Sequence, residues 1–98
     1  MEFKQEEIDR LKAKYGDVYE ISVDGKSCLV RKPNRKDMSF ALAGSSGGKD
    51  LIRMQEILMD NCWLEGDGEI RTDDALFFAA TARLTGLMEA KEAELKKL

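Results

Sequence analysis

The sequence predicts an α+β fold, a β-hairpin packed against a small helical layer in the order α-β-β-α-α-α. Three observations carry that expectation. Asp17–Pro33 alternates apolar and polar residues on either side of Asp24-Gly25, the dipeptide that most favours a two-residue hairpin turn. The flanking stretches repeat apolar residues at three- and four-residue spacing, the period of an amphipathic helix. And 98 residues with 43% apolar composition suit a single domain, 1–98, with one core and no staple.

In chain order, residues 3–15 read as a first helix. Ile8, Leu11 and Tyr15 form a narrow apolar stripe that Phe3 extends, and Gly16 stops it. The narrow stripe predicts loose attachment. The hairpin follows. With Asp24-Gly25 in a type I′ turn, Val23 pairs with Lys26, Ile21 with Cys28 and Tyr19 with Val30. Tyr19, Ile21, Val23, Cys28 and Val30 then share an inward face, while Val18 and Leu29 are apolar residues on the outer one. A lone hairpin is marginal in water, so helices must cover its inner face.

Pro33 ends the second strand, and Asn34 caps a short helix over 35–43 with Asp37 three residues on. Met38, Ala41 and Leu42 are expected inward. Gly44–Gly48 breaks the chain. A helix over about 49–61 is predicted from Leu51, Ile52, Met54, Ile57, Leu58 and Cys62. Glu65–Gly68 reads as a loop. Thr72 is expected to cap a last helix from about Asp73 to Lys96, whose stripe is Phe77, Ala80, Leu84, Leu87 and Met88, widened by Leu76 and Phe78. Its end, about 89–98, is almost all surface and reads as a solvated helix.

The chemistry-bearing candidates fail on spacing. Gly44–Lys49 resembles a phosphate loop, but the first glycine of that pattern falls on Ala43, the hydroxyl position is Asp50, and a helix precedes it. The acids around Gly66-Asp67-Gly68 do not register with a calcium loop. The chain has no histidine, hence neither the commonest general base nor the commonest metal ligand. No enzyme, cofactor or metal site is expected. Cys28 and Cys62 lie in apolar surroundings and read as buried reduced thiols. The charged N-terminal stretch and the absence of any long apolar run predict neither signal peptide nor membrane span, and a cytoplasmic setting.

Charge is distributed unevenly. Lys26, Arg31, Lys32, Arg35 and Lys36 lie in a stretch without acids. Between Glu56 and Asp74 seven acids face Arg71 alone. The bland interpretation is internally paired surface. The functional one sets a basic patch against an acidic patch on a second copy or another partner. With net charge −3, nucleic-acid binding is not expected. Val18, Leu29, Arg31, Lys32, Arg35 and Lys36 are the candidate partner-binding residues.

The run KYGDVYEISVDGKSCLVRKPNRKD, the later NCWLEGDGEI and TDDALFFAA, and the lysine- and glutamate-rich end together resemble small tail assembly chaperone-like proteins of tailed phages and prophages. The specific part is Tyr15–Asp37 plus Asn61–Ala80; the Gly44–Gly48 loop has no counterpart in that pattern. The resemblance implies a non-enzymatic protein of the bacterial host's cytoplasm that binds the long helical tape measure protein. It would keep that protein soluble until tube subunits polymerise around it, and would form oligomers. The alternative from the residues is a small cytosolic adaptor or regulator that offers a hairpin edge to an extended partner.

Overall fold

The computed structural model describes residues 2–88 and 91–98. Its elements are α1 (Gln5–Tyr15), β1 (Val18–Val23), β2 (Lys26–Arg31), α2 (Arg35–Gly44), α3 (Leu51–Cys62), β3 (Trp63–Gly66), α4 (Glu69–Thr72) and α5 (Asp74–Gly86). The fold is α+β, as the sequence predicts, but the sheet has three antiparallel strands in the order β1-β2-β3.

The hairpin forms in the expected register, with Val23 opposite Lys26, Ile21 opposite Cys28 and Tyr19 opposite Val30. Asp24 and Gly25 both take positive φ, 48° and 76°, as a type I′ turn requires. The third strand corrects the loop expected at Glu65–Gly68. Cys28 pairs with Gly66, Leu29 with Glu65 and Val30 with Trp63, with a bulge between the last two pairs. Gly66 is there for close approach. A Cβ on it would lie 2.5 Å from Cys28 Cα and 2.6 Å from the Ser27 carbonyl, at φ 150°. Asp67 prolongs the pairing, its amide donating to the Ser27 carbonyl at 2.9 Å and its carboxylate accepting from the Ser27 amide at 2.9 Å.

One face of the sheet carries the core. Ile21, Cys28 and Val30 pack with Ala41, Leu58, Met59, Cys62, Ile70, Phe77, Ala80 and Leu84. Leu29 is 2% exposed yet belongs to the other face and not to this cluster. Helix α1 covers that face. It contacts β1, and its Glu7 reaches Glu65 of β3. Phe3, Ile8 and Leu11 are half-buried, and no α1 residue is fully buried, in keeping with its narrow stripe. The partner that Leu29 calls for is therefore the chain's own first helix.

Three helix details depart from expectation. In α2, Asn34 and Asp37 form a reciprocal capping box, but Leu42 points outward and Asp37 is the inward residue. Asp73, not Thr72, caps α5, its carboxylate accepting from the Leu76 amide at 3.0 Å. And α5 ends at Gly86 rather than running to Lys96. Residues 91–98 have no regular structure, and the rest of the expected helical extension, 89–90, lies outside the described residues. Among the described residues past Leu84 none is fully buried. A helix without a packed face must be sustained by propensity alone, which short segments cannot do.

Candidate protein-binding surface

The sequence-predicted partner residues separate into two groups. Leu29 is buried beneath α1 and leaves the candidate surface. Arg31 leaves it too. Its guanidinium donates to both Asp37 oxygens, at 2.6 and 2.8 Å, and to the Asn61 carbonyl at 3.0 Å. This fork joins β2, α2 and the end of α3. The same Asp37 closes the capping box, accepting from the Asn34 amide at 2.9 Å. Hydrogen bonds from Arg31 hold the Asp37 carboxyl below its ordinary value, against the opposing cost of burial. Val18 is half-buried on the α1 face, and Lys32, Arg35 and Lys36 remain exposed.

Both thiols are buried, and neither is activated. Burial pushes Cys28 and Cys62 up to about 11, with Asp37 adding to the effect at Cys62. Among the described residues no group of three or more carboxylate or thiol side chains converges to hold a metal ion. No helix among them is long and apolar enough to cross a membrane.

Several of the charges that looked like opposed patches meet within the chain. Lys26 pairs with Glu69 at 3.3 Å, Arg31 with Asp37, and Arg71 with Asp60. Asp73 is used as a cap and Asp67 as a strand extender. What stays on the surface is smaller and better defined. On α2, Arg35 is exposed on another side of the helix, while Lys36, also exposed, lies one turn before Phe40, which is 57% exposed. Ile57 and Asn61 of α3 lie beside it in a shallow groove.

On another side of α3 lies a groove of about 490 Å³ between α3, α4 and α5. Its floor is apolar: Met59 and Phe77 are buried, while Ile52 and Phe78 stand on its lips at 48% and 49% exposure. The two phenyl rings meet edge to face at 5.8 Å. Glu56, Asp60 and Asp74 edge the groove, against Arg71, which also lies over the Trp63 ring at 5.2 Å. Periodicity places Ile52 and Phe78 near the apolar stripes of their helices. The structure leaves both half in water because each stripe is wider than the surface it packs on. That excess width is the signal in the sequence that could have found the groove.

A third groove, about 450 Å³, runs between the open edge of β1 and α5, past Tyr19, Ile21, Ala82, Gly86 and Leu87. The arrangement of these surfaces fits protein recognition. No protein-family model matches the chain, and no curated protein or solved structure matches it.

Proposed function

We propose that this protein is a non-enzymatic, tail assembly chaperone-like protein that binds a long helical partner, the tape measure protein, in the cytoplasm of a bacterial host. The observation that carries the reading is the set of large apolar side chains left in water on the helical layer. Phe40, Leu42, Leu51, Ile52 and Phe78 are each 40% exposed or more, on helices that otherwise pack well. Exposed apolar surface edged with charge is what a protein that keeps a helical client soluble must present. The resemblance in Tyr15–Asp37 and Asn61–Ala80 supplies the identity of the client.

Co-expression with a tape measure protein tests the reading. The client is expected in the soluble fraction and in a complex that survives purification, and Ile52→Asp is expected to return it to the pellet. A client equally insoluble with and without this chain would sink the proposal.

A second reading is favoured by the β1 edge: an adaptor that adds an extended partner strand to the sheet. In a two-residue hairpin the flanking pair Val23 and Lys26 is hydrogen-bonded, so Val18, Glu20 and Ser22 turn their amides outward. Glu20→Pro removes one outward donor without breaking the β1–β2 ladder. It is expected to abolish binding of an extended partner with the fold intact, and to leave binding of a helical client unchanged.

A further inference from the structure

We propose that a second copy of this chain fills the acid-edged groove between α3 and α5, inserting Phe40 of its α2 head to tail. The inference stands apart from the client reading above. The plug is built by α2: Phe40 is the most exposed aromatic among the described residues, with Lys36 one turn before it and Arg35 in the same first turn as Lys36. Asp37, the acid of that helix, does not oppose them, because it is turned inward and consumed by Arg31. The helix end next to this aromatic residue is thus basic.

The receptor is the complement in shape and sign. Its floor of Met59 and Phe77, with Ile52 and Phe78 on the lips, encloses about 490 Å³, ample for a phenyl ring and part of a helix face. Its rim carries three acids and one base. The pairs already present there are weak competitors. Glu56 meets Arg53 at 3.8 Å with both side chains about half exposed, a contact of little worth. A basic helix end set against Glu56 and Asp74 gains what that pair does not supply, and charge fixes its register.

Plug and groove cannot belong to one symmetric contact. Ile52 and Glu56 line the groove, while Ile57 and Asn61 lie beside Phe40. Five residues along a helix turn it through about 140°, so the two surfaces flank α3 on different sides. The contact is heterologous. It builds a ring if the rotation closes and an open chain if it does not. One aromatic anchor and a charged rim make a small interface, of about micromolar affinity.

Two variants at exposed positions, Phe40→Asp and Phe78→Asp, test the proposal by sedimentation equilibrium, with circular dichroism as the check on folding. The wild-type chain is expected to associate beyond the dimer as concentration rises, and more weakly at high salt. Each variant alone is expected to stay monomeric at concentrations where the wild-type chain first associates, with affinity reduced at least about tenfold. Mixed together they are expected to form a one-to-one pair and nothing larger, since one keeps the groove and the other keeps the plug. Lys36→Glu and Glu56→Lys are each expected to weaken association, and to restore it when combined in one chain. A wild-type chain that stays monomeric at millimolar concentration overturns the proposal, even if the groove binds a synthetic basic amphipathic helix. A mixture of the two variants that remains monomeric overturns it as well.

Discussion

Asp37 shows how much one buried carboxylate can organise. It accepts two hydrogen bonds from Arg31 and one from the Asn34 amide, and lies 3.9 Å from the Cys62 thiol. A partly buried, bidentate pair behaves differently from a surface ion pair, because removing one partner leaves the other charge uncompensated. Asp37→Asn is therefore expected to cost about 3 kcal/mol, read as a lowered midpoint in urea. The pH dependence follows from the depressed carboxyl. An acid held below its ordinary 3.8 contributes stability that is complete above that value and is lost as pH falls through the folded-state value. Wild type is expected to lose stability below about pH 3.8 more steeply than Asp37→Asn, and parallel acid titrations of the two check it. The thiols give a second prediction at this scale. With both groups buried and pushed up to about 11, neither is expected to react with iodoacetamide in the native protein, and both should do so in denaturant. The sequence made the Asn34–Asp37 cap legible through its spacing. It could not show that the same carboxylate receives Arg31, since that bond depends on where β2 ends relative to α2.

Among the elements, β3 is the one the sequence hid. Trp63-Leu64-Glu65-Gly66 is four residues long, and the glycine and aspartate that follow it are turn residues by composition. What makes it a strand is tertiary: the free edge of β2, and a glycine small enough to bring two backbones together opposite Cys28. Gly66→Ala is expected to cost about 3 kcal/mol, because both the clash with β2 and the φ of 150° oppose a side chain. Loss of amide protection in β2 and β3, with the hairpin turn retained, would locate the damage. The hairpin was legible to the residue, because a two-residue turn and a period of two fix register without help from the rest of the chain. The far end of α5 was misread for the opposite reason. Residues 91–98 have helix-forming composition but no packed face, and Leu95 and Leu98 are fully exposed. Removing 91–98 is expected to change stability by no more than about 0.5 kcal/mol.

At the scale of the whole molecule, the sheet divides the protein into two unequal halves. The core face carries α2, α3, α4 and α5 and all the tightly clustered residues. The opposite face carries α1 alone, which buries Leu29 without a single fully buried residue of its own. Covering Leu29 contributes about 2 kcal/mol, and Phe3, Ile8 and Leu11, only half-buried, add less than fully packed residues would. The contact with Glu7 works against it. Burial first, then the neighbouring Glu7, raises the Glu65 carboxyl above its ordinary 4.5, with Arg10 only partly offsetting them. For an acid raised by folding, the docked state binds the proton more tightly, so docking weakens as pH rises through the window just above 4.5. This sign is opposite to that of Asp37, so the two halves should respond to pH in opposite directions. Native-state hydrogen exchange, corrected for intrinsic rates, resolves them. The α1 amides are expected to open at a lower free energy than those of β1 and β2, and to gain protection when neutral solution is made mildly acidic. Glu65→Gln is expected to give α1 that protection at neutral pH already. If α1 exchanged with the same free energy as the hairpin at every pH, the sheet would be a single cooperative unit and the division into halves would be wrong.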